Sequence, residues 1–313
     1  MVNLQNAWQK IGYDCHIHLR EHVNPPLKPA PHQLKPVLDE AKRRGIIPHI
    51  REHAPLPQIL SIGPNEDFLF CMRHDEIESF LKLFQIEGVP FGLEVDYVAG
   101  YENQIYDNVQ IFLNKAKEMG VKITSLAGSP HLLPGKLQEF DWDKKGLDLV
   151  IWEFSDATFL EYIKQRGAKQ ILDDYFDGIE GIIRMGIFQV INHLDVIRKM
   201  DHRTSQSSSP FFGDLENYYL SRCRRIIELA GDKNMVLEIN TGGINHKWGQ
   251  PFIQQEILNY CAEVGVGIQV GSDAHRPGEI GQYFDVAYQM LLQAGIEEIV
   301  VFEELKPVRR SIV

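Results

Sequence analysis

Cysteine is scarce. The chain carries Cys15, Cys71, Cys223 and Cys261, with no Cys-x-x-Cys spacing among them. That leaves no thiolate zinc site and no disulfide frame, and the four read as reduced core thiols of a cytoplasmic protein. Long apolar runs are missing as well. No stretch approaches the ~18 residues that a membrane span needs, and residues 1–12 hold no apolar signal-peptide core. Basic excess is also lacking: the formal net charge is -11. Nucleic acid and anionic membranes call for a basic face, so neither is expected as a partner. An acidic chain can still hold a local cationic metal centre. There is no internal repeat.

What is present is an ordinary globular composition, 44% hydrophobic and 24% charged over 313 residues. That is enough for one large α/β domain or two small ones. Strands are expected over 13–19, 46–51, 90–95, 121–127, 187–192, 235–240 and 267–271, with a short last strand over 299–302. Helices are expected over 34–44, 76–87, 104–119, 169–185, 217–230, 252–264 and 280–294, several of them stopped by glycine. A Pro-rich loop covers 20–36, a long excursion 132–154 and a Ser-rich loop 205–210. Strands alternating with helices imply a parallel sheet. Seven such units, with no linker separating two cores, imply one barrel-like domain over 1–313. In such barrels the chemistry gathers at the C-terminal ends of the strands.

The sequence is organised around Asp14-Cys15-His16-Ile17-His18. Along a strand, side chains two apart share a face, so His16 and His18 present two imidazoles side by side. Alone the pair is weak, because chance gives about 0.5 His-x-His pairs in a chain of this histidine content. Its partners decide the matter. His53 follows strand two, Glu94 ends strand three, His131 follows strand four, His193 ends strand five, and Asp273 and His275 follow strand seven. Any one of these read singly is a capped or solvated side chain. Together they converge on one face of a barrel. His32, His49, His74, His202 and His246 fall elsewhere and read as structural or solvated. Six imidazoles and two carboxylates exceed one tetrahedral site. They suit two or three metals, and nitrogen and oxygen donors without thiolate point to Zn, Fe or Mn. Clustered divalent cations generate hydroxide at neutral pH and clamp a phosphoryl group.

Further stretches carry a specific resemblance: Glu52-His53-Ala54-Pro55-Leu56-Pro57, Gly92-Leu93-Glu94-Val95-Asp96, Ser129-Pro130-His131, Ile191-Asn192-His193-Leu194-Asp195, Leu237-Glu238-Ile239-Asn240-Thr241 and Gly271-Ser272-Asp273-Ala274-His275-Arg276-Pro277. With the opening motif, and in this order, the chain resembles the polymerase-and-histidinol-phosphatase (PHP) superfamily, and within it the histidinol-phosphatase branch. The resemblance implies a distorted (β/α)7 TIM-like barrel. It also implies a trinuclear centre, in which His16, His18, Glu94 and Asp273 hold one metal. Glu94 bridges to a second, held with His131 and His193, and His53 and His275 hold a third. The family adds a further His six residues after the opening pair. That position is Asn24 here, and the nearest histidine is His22. Either the loop is two residues shorter and His22 serves, or the third site is altered.

The implied reaction is attack of a metal-bridging hydroxide on a small phosphomonoester, with Glu94, Asp273 and His275 in the catalytic role. Arg276 and Lys247 are candidate phosphate contacts, although each read alone is a solvated surface cation. The loop Gly242-Gly243-Ile244-Asn245-His246-Lys247 departs from the branch, which bears on substrate identity more than on reaction type. Glu139, Asp141 and Asp143 in the long excursion could attract a cationic amine such as that of histidinol, or simply form a solvated acidic loop. The alternatives are a phosphoesterase for another small ester or a nucleotide, a catalytically dead metal-binding protein, and an amide or lactone hydrolase. The last commonly uses a bridging Lys at strand four, where this chain has His131.

Overall fold

Seven parallel strands form one sheet in the order in which the chain makes them. They are β1 (Tyr13–Ile17), β2 (Ile47–His53), β3 (Phe91–Asp96), β4 (Ile123–Ser129), β5 (Val190–Ile191), β6 (Val236–Asn240) and β7 (Ile268–Gly271). The computed structural model describes residues 7–19, 34–55, 72, 74–89, 91–130, 163–204 and 211–313. The sheet closes on itself: Ile17 bridges to Ala274, and His18 N donates to Ala274 O at 2.7 Å. The strands are buried almost throughout, as a sheet with helices outside and its own side chains inside requires. This is the seven-stranded barrel expected from the sequence.

The helices are α1 (Ala7–Ile11), α2 (Leu34–Arg44), α3 (Ile77–Glu87), α4 (Glu102–Glu118), α5 (Ala168–Met185), α6 (Lys199–Thr204), α7 (Glu216–Asp232), α8 (Gln255–Val264) and α9 (Phe284–Gln293). Helix α3 buries Ile77, Phe80, Leu81 and Phe84, the spacing of one helical face. Phe84 packs on Phe91 of β3 at 4.3 Å between ring centroids, and Phe112 of α4 lies 5.7 Å beyond it. Among the described residues no helix is long and apolar enough to cross a membrane. Cys15, Cys223 and Cys261 are buried free thiols, and Cys71 lies outside the described residues.

The structure departs from the sequence expectation at several boundaries. Strand β2 runs on through His53, so Glu52 and His53 are strand residues rather than loop residues. Strand β5 is reduced to Val190–Ile191. Helix α9 starts at Phe284 instead of residue 280, because Gly281 (φ 65°) and Tyr283 (φ 54°) are left-handed and a right-handed helix cannot pass through them. The last strand, β8 (Glu298–Glu303), is not part of the barrel. It pairs antiparallel with β9 (Lys306–Ser311) through a two-residue turn, Glu304 and Leu305, both at positive φ. Val300 and Phe302 of this hairpin pack on Ala127, Val190 and Val236. Leu305 N also donates to Thr124 O at 2.9 Å, so the hairpin covers the N-terminal end of the barrel. The excursion 132–154 and the Ser-rich loop lie outside the described residues, as does the Pro-rich loop up to residue 33.

Strand β7 meets β1 with no room to spare. A Cβ on Gly271 would lie 2.5 Å from His16 Cβ and 2.7 Å from Glu238 Oε1. Gly271→Ala is therefore expected to lower unfolding stability by about 1–3 kcal/mol, the usual cost of overpacking. Urea denaturation checks this, and an unchanged midpoint would contradict the packing described.

Candidate metal centre

Strand alternation delivers the expected side chains to one end of the barrel. His16 and His18 come from β1 and its end, His53 from the last position of β2, and Glu94 from β3. In register His53 lies directly beside Glu94. His193 and Asp273 follow β5 and β7. Both have left-handed backbone, at φ 27° and 53°. That region is sparsely used by non-glycine residues, and such strain clusters at functional positions. Here it turns two side chains back over the barrel mouth.

The result is a tight group of donor atoms. His16 Nε2 lies 3.0 Å from His18 Nε2 and 2.9 Å from Glu94 Oε2. His18 Nε2 lies 3.2 Å from the same Glu94 oxygen and 3.3 Å from Asp273 Oδ1. The other Glu94 oxygen, Oε1, is 2.9 Å from His193 Nε2. His53 Nε2 is 3.6 Å from Glu94 Oε2. The His275 ring stacks on His18 at 4.5 Å. His16, His18 and Glu94 form one set able to hold a metal ion, and His18, Asp273 and His275 form another. Nitrogen and oxygen donors converging without thiolate suit a divalent transition metal, so the residues present fit the expected metals. His16, His18, His53, Glu94 and His193 are buried, whereas Asp273 and His275 are about one-fifth exposed, at 22% and 20%. The group therefore meets solvent on the Asp273–His275 side.

His22 and His131 lie outside the described residues. Lys247 and Arg276 are exposed. Sequence reading missed a set of carboxylates behind the rings. Glu238 Oε1 lies 2.9 Å from His16 Nδ1, Asp96 Oδ2 2.8 Å from His53 Nδ1, and Glu52 Oε2 3.7 Å from His18 Nδ1. Glu52 also accepts from Leu19 N. A carboxylate hydrogen-bonded to Nδ1, as at His16 and His53, fixes the ring and leaves Nε2 to face inward, the usual support of a metal-binding histidine. The signal was available in the strand period: Asp96 is two residues from Glu94 and shares its face.

The electrostatics follow from this crowding. Burial works against charge on His16, but the carboxylates of Glu238, Glu94 and Asp273 outweigh it and raise the imidazole to about 10. His18 is held well above the ordinary range, its burial overcome by Asp273, Glu52 and Glu94. Burial would raise the Asp273 carboxyl, yet the surrounding histidines hold it well below its usual value. His275 goes the other way, to about 4, through burial and the neighbouring His18.

Comparison with known proteins gives consistent relatives. No family model matches the chain. A protein of Deinococcus radiodurans named "probable histidinol-phosphatase" is 24% identical over 210 residues, 66% of this chain and 76% of its own length. The histidinol-phosphatase of Bacillus subtilis is 24% identical over 280 residues, 84% of this chain and 96% of its own. Among solved structures, a histidinol phosphate phosphatase from Lactococcus lactis, in complex with zinc, L-histidinol and phosphate, superposes with a TM-score of 0.64. It is 17% identical and covers 95% of this chain and 98% of that one. The likeness establishes a shared fold.

An imidazole raised in the folded state keeps a proton that the unfolded chain releases above 6.5, so its stabilising effect is complete below that pH and is lost as pH rises towards about 10. Chelator-stripped protein should lose thermal stability progressively between pH 6.5 and about 10. Zinc-saturated protein, in which metal has displaced those protons, should show a shallower decline. Melting curves across that range check this, and identical slopes would contradict it.

Proposed function

We propose that this chain is a metal-dependent phosphomonoesterase whose substrate is L-histidinol phosphate, split by water into L-histidinol and phosphate. One observation carries the reading: His16 Nε2 and His18 Nε2 lie 3.0 Å apart and face the same oxygen of Glu94. The named activities of the Deinococcus and Bacillus relatives, and the ligands of the Lactococcus structure, support the choice of substrate.

In this reading His16, His18, His53, Glu94, His193, Asp273 and His275, together with His131 and His22, hold two to three divalent ions of Zn, Fe or Mn. Such ions supply Lewis acidity, acidify a water and neutralise phosphate oxygens. The chain's own residues do the rest. Glu94 reaches His16 and His18 through one oxygen and His193 through the other, so a single carboxylate spans the group. Asp273 and His275 stand at the solvent-facing edge, where the phosphate group enters. His275, lowered to about 4, is a neutral imidazole at pH 7, the form in which a histidine ligates a metal. Its Nδ1 is oriented by the Asp273 carbonyl at 2.8 Å. Arg276 and Lys247 are the candidate contacts for phosphate oxygens from outside the group. The net charge of -11 supports a small phosphorylated substrate over nucleic acid. Residues 1–313 are read as one barrel unit.

Phosphate release from L-histidinol phosphate, alongside a panel of other phosphomonoesters, tests the substrate. Turnover should favour histidinol phosphate, vanish on chelation and return with Zn, Fe or Mn. Metal-dependent turnover confined to another ester would refute the substrate, and no turnover by fully metallated protein would refute the phosphatase reading. Glu94→Gln should reduce turnover at least about a hundredfold with an unchanged far-ultraviolet circular dichroism spectrum. Full activity in that variant would remove Glu94 from the mechanism.

A further inference from the structure

One layer below the donor group, the barrel interior is polar where barrel interiors are usually packed with branched apolar side chains. Arg51, on the same face of β2 as His53 and two residues before it, is 1% exposed. Its Nη1 donates to Asn192 Oδ1 and its Nη2 to Ser125 Oγ, both at 2.9 Å. Gln269 Oε1 accepts from Nη2 at 3.5 Å, and turning its amide over would bring the oxygen to 2.8 and 3.2 Å from the guanidinium nitrogens. Nη1 also lies 3.4 Å from Glu238 Oε1. The guanidinium thus reaches residues on or next to β4, β5, β6 and β7.

Glu238 carries this network up to the donor group. Its Oε1 takes the His16 Nδ1 contact at 2.9 Å. Its Oε2 accepts from the His193 backbone N at 3.3 Å and from Asn240 Nδ2 at 3.4 Å. Asn240 Nδ2 also donates to Asp273 Oδ2 at 3.1 Å. One buried carboxylate is therefore tied to His16, to the left-handed turn at His193 and, through Asn240, to Asp273. Removing Glu238 from water is costly unless its charge is paired and its lone pairs are used. Arg51 supplies the countercharge from below and leaves the upper side of Glu238 to the histidine.

We propose that Arg51 and Glu238 are positioning residues of the metal site: Arg51 anchors Glu238, and Glu238 aligns His16, His193 and Asp273 so that their donor atoms face one cation. The inference rests on reading the donor group as a cation site. It differs from the Nδ1–carboxylate support that Asp96 gives His53 in being a chain of dependence, Arg51 acting only through Glu238.

The test uses full-length protein, stripped with chelator and titrated with zinc against a chromophoric competitor. The variants are Glu238→Gln, Arg51→Met and the double variant, with thermal unfolding of each stripped form measured in parallel. Glu238→Gln should weaken zinc binding about ten- to a hundredfold, and Arg51→Met about tenfold. The double variant should be no weaker than Glu238→Gln alone, because residues acting through one path are not additive. A purely structural role would lower the melting temperature and leave zinc affinity unmoved, and that result overturns the proposal. Losses that multiply in the double variant overturn the chain of dependence. Where a single variant fails to fold, the double variant, which leaves no unpaired buried charge, decides: wild-type zinc affinity there refutes the positioning role. Wild-type protein that binds no zinc refutes the cation reading itself, whereas zinc-binding wild type with unaffected variants refutes only the roles of Arg51 and Glu238.

Discussion

The end of the barrel is a crowd of lone pairs that needs positive charge to hold together. Two imidazole nitrogens 3.0 Å apart share a carboxylate oxygen, with a second carboxylate 3.3 Å from one of them. Protons can supply the charge, which is why His16 and His18 are raised. Divalent ions would supply more of it through the same inward-facing nitrogens. The rest of the site can be understood as holding those nitrogens in place: carboxylates behind the rings, strained turns at two of the donors, and a polar layer beneath.

The fold and the site are the same construction. A parallel barrel brings the ends of its strands together, but regular strand geometry alone would not aim His193 and Asp273 inward. Their left-handed backbone does that. Gly271 lets β7 approach both His16 and the Glu238 carboxylate closely. The C-terminal hairpin covers the opposite end of the barrel, and among the described residues the group meets solvent at Asp273 and His275.

Much of this was legible in the sequence. The barrel followed from strands alternating with helices, and His16, His18, His53, Glu94, His193, Asp273 and His275 followed from their places at strand ends. Three features were harder to read. Glu52, Asp96 and Glu238 look like ordinary strand carboxylates until their partners are known, since each faces a histidine from another part of the chain. Arg51 breaks the expectation that a buried strand residue is apolar, and only its convergence with distant Ser125, Asn192, Gln269 and Glu238 explains it. Strand β9 leaves most of its side chains exposed, so it carries no apolar pattern to betray it, and the start of α9 was set by backbone torsions rather than by composition.

The most direct test is anomalous diffraction at the zinc edge from crystals of protein saturated with zinc. The account predicts a peak about 2.0–2.2 Å from His16 Nε2, His18 Nε2 and an oxygen of Glu94 or Asp273. Zinc-saturated crystals with no peak inside that group, or with zinc only on the surface, would contradict it.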